Sequence, residues 1–450
     1  MGLTPPSGHP LRTPARLRRN MSLEELKTKV DLLLAAVAAA AASTGLEPRQ
    51  VRGIALYDSQ KDAFVISVEP FAEVEASIRE LPVVHERYGL DQSCRLALQL
   101  VYEYFARAND LVVRSELVDA LWADFVAELE SPVWLARCVT NLRHFQCDDL
   151  HVDLGDGVSI CGRNPDVLTG LGFSDGIQEM LFAEWGGFDS SSFVLIAESS
   201  IQKRPDSFLS IDGGEGGLRC ARAIGAMRLT APGDVGINAV YLQRVARFNV
   251  GMGGILFSGA TLDTVGRQYA WRPEHRTPYA AVYTALARLE KTGYSKAPGN
   301  LDLALRAFMS TFDRFPSAMD TKLVDAITAL EAILGDRAEI SFKLSFRVAS
   351  LLATNDAERA ALLKTMKGYY DARSRTVHGD RLSKKQSESL AAVDDLQDLV
   401  RRLLRSFVLF AADDARQVEK QFFVEELDAA LMDAGRRDSL RKLLGLTGTA

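Results

Sequence analysis

Apolar positions return at helical spacing along most of this chain, interrupted in the middle by a stretch of different texture. Ser22 and Glu25 stand at capping-box spacing ahead of an Ala-rich apolar run. A helix is therefore expected from Leu23 to the Ser43-Thr44-Gly45 stop. The alternating segment Phe64-Val65-Ile66-Ser67-Val68 reads as a candidate short strand. Between about Leu90 and Leu142 the apolar residues step at helical intervals, as in Leu96, Leu98, Val101, Tyr102 and Phe105, then Leu117, Leu121, Phe125 and Leu129. This predicts a largely helical region over 21–149.

From about residue 150 the pattern changes. Leu150 to Cys161 alternates between glycine turns, Phe193-Val194-Leu195-Ile196-Ala197 is a compact apolar run, and glycine is frequent through Gly259. The stretch 150–270 is expected to be strand-rich, with helix returning from Pro273 to Arg288. Two glycine clusters, Gly213-Gly214-Glu215-Gly216-Gly217 and Gly251-Met252-Gly253-Gly254, lack the Lys-Ser/Thr of a phosphate loop and read as turns.

After Leu301 glycine becomes rare and long helical stripes take over. Met319, Leu323, Ile327, Leu330 and Leu334 form one; Ile340, Leu344, Val348, Leu351 and Leu352 form the next. Leu362, Met366 and Tyr370 mark a third helix, Leu396, Val400, Leu403, Phe407 and Phe410 a fourth, and Val424 to Leu440 a further amphipathic one. Short connections between such helices imply an up-and-down bundle. The expected fold class is α+β: a mixed helical and strand-rich region over 21–300 followed by an all-α bundle over 301–450.

Charge and composition narrow the function. Residues 1–20 carry Arg12, Arg16, Arg18 and Arg19 among prolines with no acid, which predicts a disordered basic tail. The net charge of −6 gives no global attraction to nucleic acid, so any RNA contact must be local. Five cysteines without a CxxC pair suit a reducing, cytoplasmic setting. The apolar run Leu32 to Ala42 is too short to span a bilayer, and Glu24, Glu25 and Asp31 precede it where a signal peptide carries bases. No membrane association is expected. His144 and His151 flank Cys147, Asp148 and Asp149, but the spacing fits no common zinc pattern, and neither metal nor cofactor is expected.

The segment with the most chemistry is YYDARSRTVHGD (369–380), where Arg373 and His378 lie five residues apart with Gly379 behind. On an ideal helix that spacing rotates the two side chains roughly 140° from one another. The helix is therefore expected to end here, with Gly379 as its left-handed cap and His378 in the last turn, free to swing toward Arg373. Arg373 can hold a phosphodiester through its planar fork while His378 moves a proton at the ribose 2′-hydroxyl or the departing 5′-oxygen. One histidine does not readily serve as acid and base in one step, so a symmetric dimer would bring two copies of the pair to one cleft. Ser374 can bond His378 or a phosphate oxygen. Arg375 either extends the positive patch or is a solvated surface charge, and Tyr369 and Tyr370 can stack a base, with packing in the bundle the alternative for Tyr370.

The succession ALEAIL (329–334), FKLSFRVASLL (342–352) and YYDARSRTVHGD resembles the Apea-like branch of the HEPN domains over roughly residues 305–412. The resemblance implies a helical bundle that dimerises and a metal-independent endoribonuclease motif in which Arg373 and His378 are catalytic. It also implies a role in toxin systems or antiviral abortive infection, with tRNA or other cellular RNA as substrate. The chain departs from the family at Ser374, where active members most often carry Asn, Asp or His. An N-terminal region that senses an unknown trigger would restrain the nuclease. The rival expectation is a non-catalytic dimerisation module in a signalling or defence complex, with Arg373 and His378 structural and paired with acids such as Asp371 or Glu331.

Overall fold

The computed structural model describes residues 22–51, 59–88, 96–164, 193–203, 214–244, 255–256, 266–292, 300–313, 318–335, 339–413 and 420–446. The basic tail and the glycine cluster 251–254 lie outside them. The chain divides into two compact units, the first formed by Met1–Val133, Gln202–Leu209 and Ala246–Gly251, the second by Trp134–Ile201, Ser210–Val245 and Met252–Ala450. Residue 301, the expected start of a separate helical domain, falls inside the second unit.

The first unit is helical: α1 (Leu23–Thr44), α2 (Pro48–Val51), α3 (Ser59–Ile66), α4 (Pro70–Arg79), α5 (Pro82–Arg87), α6 (Leu96–Ala108) and α7 (Ser115–Glu130). Both halves of the expected capping box form at Ser22 and Glu25, and Gly45 closes α1 in the left-handed region at φ 70°. One face of α1, with Leu26, Val30, Leu33, Leu34 and Val37, is buried against α4 and α6. Residues 64–68 are not a strand. Phe64 to Ile66 are the last residues of α3, with Val65 buried and Ile66 exposed. A short apolar run does not distinguish the two periods.

The second unit opens with β1 (Val133–Arg143), where the helical expectation through Leu142 also fails. Trp134, Ala136 and Cys138 alternate inward, and aromatic and β-branched residues favour the pleated surface. Then come β2 (Phe145–Gln146), β3 (His151–Gly155), β4 (Val158–Gly162), β5 (Phe193–Gln202), α8 (Gly214–Thr230), β6 (Gly236–Arg244), β7 (Ile255–Leu256) and β8 (Tyr269–Ala270). The main sheet has the order β3-β4-β5-β1-β6-β7, with β3–β4, β4–β5, β1–β6 and β6–β7 antiparallel, and β2 pairs in parallel with β8. The glycines read as a turn at 214–217 instead start α8. A Cβ on Gly216 would stand 2.9 Å from Cys138 Sγ on β1, so glycine permits the close approach of helix and sheet.

A 3₁₀ turn (Pro273–His275) leads into α9 (Arg276–Thr292), followed by α10 (Leu301–Ser310), α11 (Met319–Leu334), α12 (Ile340–Leu352), α13 (Asp356–His378), α14 (Lys384–Ala391), α15 (Val393–Ala411), α16 (Lys420–Met432) and α17 (Ala434–Leu443). The single helix expected over 424–440 is two, because Asp433 interrupts it and caps α17 by accepting from the Arg436 N–H. The apolar stripes at Leu323 to Leu334, Leu344 to Leu352 and Leu396 to Phe410 are buried. They form one continuous core with the inner face of the sheet and with α8 and α9. The fold is α+β. Among the described residues no helix is long and apolar enough to cross a membrane.

Candidate functional site

Helix α13 carries the Arg373 and His378 pair. It begins at Asn355, whose side chain accepts from the Glu358 N–H at 2.9 Å, and Glu358 Oε2 accepts in return from Thr354. Met366, Tyr369 and Ala372, at spacings of three, are its buried face. Gly368 lies on that side too, and a Cβ there would approach Ser389 Oγ on α14 to 3.0 Å. These contacts fix the rotation of α13 and so where each site residue points.

Arg373 points toward α11. Its Nη2 lies 3.3 Å from Glu331 Oε2, with both side chains about three-quarters buried. Tyr370, one turn earlier, has its ring centroid 5.9 Å from the Arg373 guanidinium carbon. Burial pushes the Tyr370 phenol up from its usual range, and the Glu331 charge adds to this while Arg373 opposes it. The phenol therefore stays protonated. Arg373 Nε is buried without a hydrogen-bond partner among the described residues, so the guanidinium keeps unused donor capacity.

At the other end Gly379 adopts φ 73°. Its N–H bonds Thr376 O at 3.2 Å, and Asp380 N–H bonds Arg375 O at 3.0 Å. This is the Schellman pattern, and it ends the helix directly after His378, as the glycine position predicts. His378, Arg375 and Val377 are exposed, and Ser374 is partly buried.

Not every expected role survives. Helix α13 is regular through His378, so Arg373 and His378 stay roughly 140° apart around the axis and about 7.5 Å apart along it. Among the described residues no hydrogen bond or ion pair joins His378 to Arg373 or Ser374. Tyr369 does not present its ring for stacking: it is 2% exposed, and its hydroxyl donates to Ala392 O at 2.8 Å. Its face is set by Met366 and Ala372, which share its spacing. Tyr370 packs against the core, and Arg375 is solvated. The pairing of Arg373 with Glu331 has no local sequence signal, because the partners lie on different helices.

The arrangement on one chain therefore offers a partly buried guanidinium held by a carboxylate, and an exposed imidazole at a helix terminus on another side. Compared with known proteins, the chain matches no family model, no curated protein and no solved structure.

Proposed function

We propose that this protein is a metal-independent endoribonuclease of HEPN type. Helices α11 to α15 serve as its HEPN-like up-and-down bundle, and Arg373 and His378 cleave RNA. The observation that carries the reading is the Schellman cap, which stops α13 immediately after His378 and leaves the imidazole exposed at the helix end. RNA supplies its own 2′-hydroxyl nucleophile, so the protein need only bind the phosphate and move protons. Because the two side chains diverge on one helix, the reacting phosphate would meet Arg373 of one copy and His378 of another in a homodimer. Arg375 would add positive charge beside it. In the setting the resemblance implies, the protein is a cytoplasmic toxin or antiphage abortive-infection effector, and its N-terminal residues sense a trigger.

A second reading has its own support. The partly buried Glu331–Arg373 ion pair is the arrangement expected if Arg373 is structural and the bundle is a dimerisation module. Wild type, Arg373→Ala and His378→Ala incubated with total RNA in EDTA separate the two. Cleavage that persists in the chelator and disappears in both variants supports the nuclease. If no form cleaves, even when mixed with lysate from phage-infected cells as a source of trigger, the bundle is an assembly module.

A further inference from the structure

The hairpin of α12 and α13 presents an aromatic pair to solvent among lysines. Phe342, in the first turn of α12, is 48% exposed, and its ring centroid lies 4.7 Å from that of the half-buried Phe346 one turn on. Lys367 Nζ on α13 stands 5.6 Å from the Phe342 centroid. Lys364, one turn before Lys367, is exposed as well, and neither lysine pairs with a carboxylate among the described residues. Residues 340–355 contain no acid and neither do 359–370, in a chain with 59 acids and a net charge of −6. A lone exposed apolar residue needs no explanation. An exposed aromatic set among lysines, where the acids of an acidic chain are missing, is the local footprint that nucleic acid requires.

The same surface leads to the candidate site. Helices α12 and α13 are joined by residues 353–355 and run antiparallel, and the contact of Phe342 with Lys367 sets the start of α12 level with the middle of α13. Helix α13 then continues past Lys367 to His378, about 16 Å along its axis. Lys367, Ser374 and His378 fall within about 40° of one another round the helix, so the ammonium, the hydroxyl and the imidazole lie in line on one face. Asp371 is the acid on that face, with Lys367 and Arg375 one turn to either side of it.

We propose that Phe342 is a stacking platform for an unpaired base of single-stranded RNA, with Lys364 and Lys367 holding the phosphates that flank it. An aromatic face stacks any base and a lysine neutralises any phosphate, so the surface selects a single strand without selecting its sequence. The flexible stem of Lys367 lets its ammonium pass from the ring to a phosphate. Bases inside an A-form duplex stay stacked on one another and do not reach the ring. A strand laid from Phe342 along the exposed face of α13 meets His378 a few nucleotides on, so the platform sets where the cut falls. This last step rests on the nuclease reading, whereas binding at Phe342 does not. A second copy of the chain could also cover an exposed aromatic, but the unpaired lysines and missing acids favour a polyanion.

The test is fluorescence anisotropy of a short labelled RNA without self-complementarity, titrated in EDTA with the full chain carrying His378→Ala to block cleavage. In that background Phe342→Ala should weaken binding about tenfold or more, while Phe342→Tyr, which keeps a ring, should bind as its parent does. Met432→Ala, at an apolar group 92% exposed elsewhere, should change nothing. Lys367→Gln should flatten the slope of log affinity against log salt by about 0.7, the loss of one phosphate contact to a single strand. Should Phe342→Ala fold poorly, Phe342→Leu removes the ring while keeping an apolar side chain and carries the test. Phe342-dependent binding with no cleavage by wild type would keep the platform and sink the nuclease reading. The proposal is overturned if the single strand does not bind, if losing the Phe342 ring leaves its affinity unchanged, or if the duplex of the same sequence binds equally well. It is also overturned if Phe342→Ala turns a dimer into a monomer in sedimentation, which would put a second copy on the ring.

Discussion

Arg373 Nη2 lies 3.3 Å from Glu331 Oε2, and the Tyr370 phenol beside them feels both charges. The ion pair is about three-quarters buried, so water screens it only in part. Glu331→Gln should lower stability by about 1 kcal/mol, and a double-mutant cycle with Arg373→Ala should give a coupling of similar size in urea unfolding. RNA cleavage separates positioning from catalysis. Glu331→Gln should retain activity within about tenfold, whereas Arg373→Ala should lose about a hundredfold or more. Equal stability losses with no cleavage in any form would leave Arg373 a structural residue.

Tyr369 and Ala392 make the corresponding internal contact on the buried side of α13. Removing the hydroxyl in Tyr369→Phe should destabilise by about 1 kcal/mol, the net value of one hydrogen bond. Because the ring faces the core, cleavage by the folded variant should match wild type. A loss of RNA affinity in Tyr369→Phe at unchanged stability would show that the hydroxyl reaches substrate.

What the sequence revealed followed the physics of each signal. The capping box at Ser22 and Glu25, the glycine stop at Gly45 and the cap at Gly379 are local, and each stands where its residue pattern placed it. The stripes of α11, α12 and α15 were legible because several turns of one period outweigh chance. Short or glycine-bearing segments were not: residues 64–66 and the start of α8 carry too few turns to distinguish the periods, and Gly216 answers a contact with Cys138 far away in sequence. At the candidate site, Arg373, His378 and Gly379 were visible as a motif. The rotation that buries Tyr369 and turns Arg373 to Glu331 was not, because it depends on how α13 packs against α11 and α14.

Gly379 is open to substitution in space but not in backbone angle. Nothing lies within 4 Å of a Cβ built there, yet its φ is 73°. Gly379→Ala should therefore lower stability by about 1 kcal/mol through strain alone, and Gly379→Asn by less, since asparagine tolerates the left-handed region. Fraying of the last turn would also displace His378. Circular dichroism melts of the two variants should rank wild type, Asn, then Ala, and cleavage should fall in the same order.

His275 should make stability depend on pH. Burial holds its pKa below the usual 6.5, and Arg272 and Arg401 add to this while Glu274 opposes. The hydrogen bond from the Arg272 N–H to Nδ1 also requires the neutral ring. With the folded pKa below the unfolded one, the unfolded chain binds the proton more readily, so the contribution is fully present above about pH 6.5 and is lost as pH falls through the folded value. Stability of wild type in urea should therefore fall as pH drops below about 6.5 by more than that of His275→Gln, which cannot titrate. Identical pH profiles for the two proteins would exclude His275 as the source.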